Sequence, residues 1–210
     1  FNVNFDGNGL LNLQVEGGAV DAQAHNGGLL KADGGEVLMT ARAAGDLLGS
    51  VVRNSGTIEA KGLSSRAGKI TLDGGEVQVG GKLDASAQDA STAGGTVTTR
   101  GERVAVSRDV QVDTRAASGQ TGQWTIEAAN AGVGTVAGAG KRGLVIGGGI
   151  NGNTGNSGTG VIVGSADGAI DGETLSRNLG TTNVALTNTS GDLTVGDAVT
   201  WASDNTLALT

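Results

Sequence analysis

The chain has 210 residues, of which 40 are glycine and none is proline, cysteine or tyrosine, and its formal net charge is −7. The lack of cysteine excludes a disulfide scaffold and a cysteine nucleophile, and a single histidine, His25, argues against a zinc site. The acidic balance argues against nucleic acid as a partner, because phosphates bind to basic surfaces. No run of about 18 apolar residues occurs. We therefore expect no metal, no cofactor and no membrane span.

Apolar residues alternate with polar ones in short bursts that are bounded by Gly, Asn or Asp. This pattern predicts short, half-buried β-strands separated by tight turns. In chain order the apolar residues of these bursts are Leu11, Leu13 and Val15; Val20, Ala22 and Ala24; Leu30 and Ala32; Val37, Met39 and Ala41; Ile58 and Ala60; Ile70 and Leu72; Val77 and Val79; Leu83 and Ala85; and Val104 and Val106.

The bursts themselves repeat along the chain. The segment at 68–72 (GKITL) recurs at 95–99 (GTVTT) and again at 122–126 (GQWTI), with the same interval both times. This interval sets a period of about 27 residues, and a fixed period in this range indicates a repeat architecture. Similar intervals pair Val77 with Val104, Leu83 with Val110, Leu13 with Met39 and Ala32 with Ile58.

One interval in the repeat is longer than the others. The interval from Val37 to Ile70 exceeds the common period by about six residues. This excess predicts an insertion, which we place near Leu63 to Arg66.

The repeat length indicates the fold. Residues 68–94 hold three strand bursts, and three short strands per repeat are typical of a parallel β-helix, in which each repeat makes one coil. We therefore predict an all-β chain, a right-handed parallel β-helix with about 23–27 residues per coil, with eight or nine coils stacked about 4.8 Å apart. The rival interpretation, a sandwich or barrel of hairpins, requires antiparallel neighbours and leaves the repeat unexplained.

The regular pattern ends after residue 128. Residues 129–164 are rich in Gly and Asn, and we expect a loop excursion from the wall of the β-helix there. One short helix is predicted over residues 171–180, because Leu175 and Leu179 lie on one helical face and Gly180 suits its C-terminal end. Strands then resume at Val184 and Leu186, Leu193 and Val195, Val199 and Trp201, and Leu207 and Leu209.

The predicted organisation is one continuous domain that forms part of a longer protein. Residues 1–128 form regular coils, residues 129–164 form the excursion, and residues 165–210 form the helix and further coils.

Candidate chemistry rests on a few acidic residues. Parallel β-helices can carry polysaccharide lyases and hydrolases, which use clustered carboxylates with Arg or Lys on one outer face. The candidates are Asp73, Asp84, Glu102 and Asp113. The repeat places Arg100 beside Asp73, and we interpret these two residues as a structural charge pair between coils. It places Gln111 beside Asp84, so the repeat does not bring these carboxylates together as a catalytic pair. No catalytic or metal-binding residue is assigned, and the binding residues stay unknown.

Three further residues have structural interpretations. Trp124 falls where Ile70 and Val97 are inward, so we expect it in the core, and the phase of Trp201 with Val199 predicts the same. His25 precedes Asn26 and two glycines, which predicts a solvated turn residue.

Residues 54–60 read NSGTIEA, and residues 123–128 read QWTIEA. The first segment resembles the N-x-G-x-I-x-A strand of the filamentous-haemagglutinin-like exoproteins of bacteria, and the second is similar to the W-x-I-D-P segment of that family. Residues 170–179 and 183–187 (NVALT) resemble the helix and the strand that follow. Two features depart from the pattern: Glu127 and Ala128 replace D-P, and the N-P-N motifs of the secretion domain are absent.

The resemblance implies a non-enzymatic shaft and binding segment of a large adhesin on the bacterial cell surface. It implies two-partner secretion through an outer-membrane transporter that recognises a part not in this chain. Attachment or biofilm cohesion would then involve a polysaccharide or a surface receptor. Two alternatives stay open: the stalk of a contact-dependent toxin-delivery exoprotein, and a β-helical polysaccharide lyase or hydrolase.

Overall fold

The computed structural model describes residues 2–6, 10–15, 23–41, 50–129, 131–133 and 169–210. The single helix among them is α1 (Gly172–Asn178). The strands are β1 (Asn2–Asp6), β2 (Leu10–Val15), β3 (Gln23–Asn26), β4 (Leu29–Lys31), β5 (Glu36–Ala41), β6 (Val51–Asn54), β7 (Thr57–Glu59), β8 (Lys69–Asp73), β9 (Glu76–Val79), β10 (Lys82–Asp84), β11 (Thr96–Arg100), β12 (Arg103–Val106), β13 (Gln111–Asp113), β14 (Gln123–Ala128), β15 (Gly132–Val133), β16 (Ala169–Ile170), β17 (Asn183–Asn188), β18 (Thr194–Val195) and β19 (Leu207–Leu209).

Three stacked sheets enclose one core, and together they form the predicted parallel β-helix. Sheet A has the strand order β1-β2-β5-β8-β11-β14-β17-β19, sheet B has the order β3-β6-β9-β12, and sheet C has the order β13-β10-β7-β4. Successive strands of the chain pass from one sheet to the next, and equivalent strands pair in parallel one coil later. The described part of the chain makes about five turns, fewer than the eight or nine predicted.

Sheet A confirms the predicted repeat in register. Val97 pairs with Ile70 on one side and with Trp124 on the other, and Trp124 pairs with Val184 one coil further. All four side chains are at most 1% exposed. Because side chains alternate across a strand, the intervening residues point outward, and the inward ones form one continuous core.

Two predicted pairings are wrong. Leu83 pairs with Val112, not with Val110, and Ile58 pairs with Leu30, not with Ala32. The coils of sheet C therefore differ in length, because turns between sheets accept extra residues while the inward ladder stays in register.

The placement of the predicted insertion depends on which coil is compared. The connection from Ile58 to Ile70 is longer than its equivalent in the preceding coil, from Leu30 to Val37, but equals that from Val112 to Trp124. The connection between β5 and β6 is also long, and it includes residues 42–49, which fall outside the described part. The segment from Leu63 to Arg66 is a tight turn, in which the backbone N–H groups of these two residues and their carbonyls hydrogen-bond reciprocally.

Sheet A begins with a pair that the sequence does not predict. β1 and β2 are antiparallel, with Asn2 opposite Gln14 and Asp6 opposite Leu10. Every other pair of strands in the described part of the chain is parallel.

Buried asparagines shape one corner between sheets B and C. Asn26 Nδ2 donates to Asn54 Oδ1 at 2.8 Å, and Asn54 Nδ2 donates to the carbonyl oxygens of Gly80 at 2.7 Å and Gly56 at 3.2 Å. Gly81, which follows, has a φ of +64°, a conformation that side-chain-bearing residues rarely adopt. These bonds replace the ladder bonds that the backbone loses where it turns.

The C-terminal part departs from simple stacking. A further three-stranded sheet has the order β16-β15-β18. Its central strand, β15, is the first of the three in the chain. Ala131 and Val133 are fully buried, so the wall extends past the predicted boundary at residue 128. The rest of the predicted excursion, residues 134–164, lies outside the described residues.

The predicted helix is confirmed. Asp171 caps its N-terminus by accepting a hydrogen bond from the Thr174 N–H at 2.8 Å. Leu175 and Leu179 are fully buried, and Gly180 follows the C-cap residue Leu179, as expected.

Candidate functional site

The outer face of sheet C carries a column of charged side chains, because each inward residue is followed by an outward charged one. Glu59 pairs in register with Lys31 on one side and Asp84 on the other, and Asp84 pairs with Asp113. Cations flank this column. We call the set the sheet C ladder; its members are Lys31, Asp33, Glu59, Lys61, Lys82, Asp84, Asp113 and Arg115.

Ion pairs in the ladder cross from coil to coil. Lys31 Nζ lies 3.0 Å from Asp33 Oδ2 and 3.2 Å from Glu59 Oε2. Lys61 Nζ lies 4.0 Å from Glu59 Oε1 and 3.6 Å from Asp84 Oδ2. The four carboxylates and four cations of the ladder therefore balance one another.

Asp84 is the most buried charged residue of the ladder, with 3% of its surface exposed. Its Oδ1 accepts hydrogen bonds from the Ser86 N–H at 3.1 Å and the Ser86 hydroxyl at 2.6 Å, and Lys82 Nζ lies 2.9 Å from Oδ2. Burial alone would raise the pKa of Asp84, but the bonds from Ser86 and Lys82 outweigh it, and the pKa lies below its ordinary value. The bond to Asp84 raises the pKa of Lys82.

These shifts decide what the ladder can do chemically. A general acid for glycoside cleavage needs a carboxyl whose pKa is raised, so that it holds a proton near neutral pH. The pKa of Asp84 is shifted the other way, so this carboxylate is ionised and accepts hydrogen bonds. In this arrangement the ladder ties neighbouring coils together and presents a polar face of alternating sign.

The predicted acidic candidates separate onto different sheets. Asp73 lies on sheet A, where its Oδ2 is 2.7 Å from Arg100 Nη2, and this confirms the predicted cross-coil charge pair. Asp84 lies beside Asp113, not beside Gln111, because the coil there is longer than the predicted period. Glu102 is an exposed residue in the turn between β11 and β12.

Three predictions for single side chains, those for Trp124, Trp201 and His25, have different outcomes. Trp124 is fully buried, as predicted, and its Nε1 donates to Thr99 Oγ1 at 3.2 Å. Trp201 is 40% exposed, so the prediction of a core residue is wrong; no coil covers it in the described part of the chain. His25 is solvated as expected, but it lies in β3 rather than in a turn, with Nε2 3.1 Å from Ser55 Oγ.

Sequence reasoning missed most members of the ladder, among them Glu59, Lys61 and Lys82. A signal for Glu59 was present, since the four residues of the central column each follow an inward aliphatic residue. Aligning the sequence repeats at one fixed period does not align the members of this column, because they are unevenly spaced along the chain. The step from Glu59 to Asp84 is shorter than the period, whereas the step from Asp84 to Asp113 is longer.

Within the described residues, no three His, Asp or Glu side chains lie together in a way that could hold a metal ion. Within the same residues, no helix is long and apolar enough to cross a membrane. Comparison with protein-family models, with curated proteins and with solved structures finds no match for this chain.

Proposed function

We propose that this chain is a non-enzymatic shaft and binding segment of a secreted bacterial surface adhesin. The observation that carries the proposal is the unbroken stack of sheet A. Seven of its strands are parallel and in register, and the inward apolar residues of β5, β8, β11, β14 and β17 belong to one buried core. A solenoid of this kind acts as a rod, because each coil is held by its neighbours over the whole perimeter.

Charge pairs along the axis add to the rod. Lys69 pairs with Glu36, Arg100 with Asp73, and Arg103 Nη2 lies 2.9 Å from Glu76 Oε2 on the preceding coil. Each bridge joins equivalent positions of adjacent coils, so each opposes their separation. Repeated outer faces would bind an extended polymer weakly at each coil and more strongly in total, since linked contacts raise the effective concentration.

The resemblance to filamentous-haemagglutinin-like exoproteins supports the cellular setting. Its N-x-G motif at residues 54–56 coincides with the buried Asn54, whose side chain bonds to two glycine carbonyls at a coil corner. The motif therefore has a structural reason in this chain. On this proposal the protein is exported through an outer-membrane transporter and acts outside the cell on a polysaccharide or a surface receptor.

A binding screen with product analysis tests the proposal. The chain is applied to an array of polysaccharides and glycans, and the bound polymers are then sized by chromatography. Retention of a polymer at unchanged length supports an adhesin segment. Absence of retention on every polymer would contradict binding by this segment and leave it a spacer.

A polysaccharide-cleaving enzyme is the second candidate; in the sheet C ladder the ionised Asp84 would serve as a base and not as the general acid. Glu59, Asp84 and Asp113 with adjacent lysines form the mixed acidic and basic cluster that such enzymes carry on one face. Shortened products in the screen would support it. The loss of those products in Asp113→Asn, with no loss in the sheet A control Asp73→Asn, would assign the cleavage to the ladder.

A further inference from the structure

Arg53 is an exposed cation on the outer face of sheet B, in the middle of the stack of coils. Within the part of the chain that the structure describes, its side chain makes no ion pair and no hydrogen bond. The other arginines of the described strands, Arg100 and Arg103, are each paired with a carboxylate on the preceding coil. Arg53 therefore keeps all the hydrogen-bond donors of its guanidinium group for a ligand.

The carboxylate on this face does not neutralise Arg53. Glu76 is the single acidic residue among the outward positions of strands β3, β6, β9 and β12. Its Oε1 accepts a hydrogen bond from Gln78 Nε2 at 2.7 Å, and its Oε2 accepts one from Arg103 Nη2 at 2.9 Å. The outer face of sheet B is thus locally positive on a chain whose net charge is −7. An anionic ligand is attracted to such a place and repelled by an acidic surface elsewhere.

Two further exposed polar side chains lie beside Arg53. His25 is its register partner on the adjacent strand, about 4.8 Å away, and Ser55 comes two residues after it. His25 Nε2 lies 3.1 Å from Ser55 Oγ. A Cβ added at Gly27 would lie 3.6 Å from His25 Nε2 and 3.8 Å from Ser55 Oγ. Because Gly27 has no side chain, the backbone beside these two polar atoms stays bare, and a ligand group can approach them there.

The donors in this group fit a carboxylate. A guanidinium group presents two parallel N–H bonds that match the two oxygens of a carboxylate, and a hydroxyl and an imidazole beside it can bind the same group. Phosphate sites in proteins are commonly built from several backbone N–H groups at a helix N-terminus or in a nest, and the described residues around Arg53 are in β-strands and a turn.

We propose that Arg53, together with His25 and Ser55, binds the carboxylate of a uronic-acid unit in an acidic polysaccharide. The guanidinium group would hold the two carboxylate oxygens, and the imidazole and the hydroxyl would bind the same unit over Gly27. This inference rests on the proposed function as a binding segment, and it names the class of polymer and the place on the rod. It does not involve the sheet C ladder.

Calorimetry with the whole chain tests the proposal. The probes are galacturonic-acid oligomers of one length and the same oligomers as methyl esters, which keep the sugar and lose the charge. Arg53→Gln removes the guanidinium group, and Arg53→Lys keeps the charge without the paired donors. Arg66→Gln is the matched control, because Arg66 is also exposed and has no ion pair within the described residues. Circular dichroism checks that all three variants keep the β-helix.

We expect saturable binding of the acidic oligomers and binding of the methyl esters that is weaker by about tenfold or more. Arg53→Gln should lose affinity for the acidic oligomers by about tenfold or more, Arg53→Lys should lose less, and Arg66→Gln should stay within about twofold of the unaltered chain.

Equal binding of the methyl esters would overturn the proposal, as would equal losses in Arg53→Gln and Arg66→Gln or no binding of any oligomer. Displacement by inorganic phosphate, at the concentration of the oligomer carboxylates and at constant ionic strength, would assign the site to phosphate and also overturn it. Retention of a neutral polymer in the polysaccharide array that Arg53→Gln leaves unchanged would overturn this site while it supports the adhesin segment.

Discussion

The side chain of Asn178 closes the edge of sheet C at Val112. Asn178 Oδ1 accepts the Val112 N–H at 2.8 Å, and Asn178 Nδ2 donates to the Val110 carbonyl at 3.2 Å. The hydroxyl of Thr181 donates to the Val112 carbonyl at 2.6 Å. Helix α1 thus stands where the next strand of sheet C would lie, and its amide group takes the place of that strand's backbone. Sheet A continues past this level, whereas sheet C stops.

Asn178→Ala should lower the free energy of unfolding by about 2 kcal/mol, because it leaves the N–H of Val112 and the carbonyl of Val110 without this partner in a buried place. Denaturant unfolding followed by circular dichroism gives the value. The control is Glu173→Gln on the same helix, where the side chain is exposed and the change should be small. Similar losses in both variants would show that the amide does not act as an edge cap.

Trp124→Ala should destabilise the protein by about 3–5 kcal/mol, since it opens a cavity in the inward ladder and removes the hydrogen bond to Thr99. Trp201→Ala should cost much less, because Trp201 is 40% exposed. Thermal unfolding of the two variants side by side measures the difference. A larger loss for Trp201 would place that residue in a core that the structure does not show.

Gly68→Ala should destabilise the protein by about 3 kcal/mol or prevent folding, because an added Cβ would lie 1.5 Å from the Ala60 carbonyl oxygen. Gly28→Ala is the matched change, since a Cβ there meets nothing within 4 Å. Expression yield and unfolding temperature compare the two. Equal stability of both variants would mean that the coil corner at Gly68 is wider than described.

The pKa of Asp89 offers a test of the turn that joins two coils. Hydrogen bonds from the Ser91 and Thr92 hydroxyls and from the Ser64 N–H lower this pKa to about 2, from an ordinary value of 3.8. A carboxyl with a lowered pKa stabilises the fold above about pH 4, and this stabilisation is lost as the pH falls through about 2. Carboxyl NMR titration should show a midpoint of about 2 that moves upward in Ser91→Ala. A midpoint at the ordinary value in the unaltered chain would refute these bonds.

Deletion of residues 134–168 with a short glycine linker should leave the β-helix folded. Gly132 and Ala169 are register partners in adjacent strands, so the two ends of the deletion lie close together. Circular dichroism should retain the β signal with a similar unfolding temperature. Removing residues 132–170 should instead destabilise the fold, because it also deletes the buried Val133 and Ile170. If the shorter deletion also abolishes binding in the polysaccharide screen, the excursion carries the specificity.

Much of the fold follows from local patterns. Alternation of apolar residues predicts most strands, because a strand that is buried on one face has an apolar residue at every second position. The pairs Ile70–Val97–Trp124 came from a repeat of constant length, and the Asp73–Arg100 bridge followed from it. The helix was predictable because Leu175 and Leu179 lie four residues apart on one helical face and Gly180 suits the C-terminal end.

The sheet C ladder could not be predicted in the same way. Its columns depend on coils of unequal length, and a comparison at one fixed period misaligns them. For this reason a fixed period aligns Asp84 with Gln111 instead of Asp113. Likewise, the phase of Trp201 with Val199 suggested burial, but burial also requires a neighbouring coil above it.

The amino-acid sequence by itself determined that this chain is a β-solenoid with aliphatic ladders and a single short helix, because strand period and repeat length are local properties. The tertiary structure decided which residues of adjacent coils meet, that Asn178 caps sheet C, and that Leu209 and Trp201 stay uncovered. These relationships depend on how the turns between sheets absorb extra residues and on which coil lies above which. The spacing of apolar residues along one strand determines neither the length of these turns nor the order in which the coils stack.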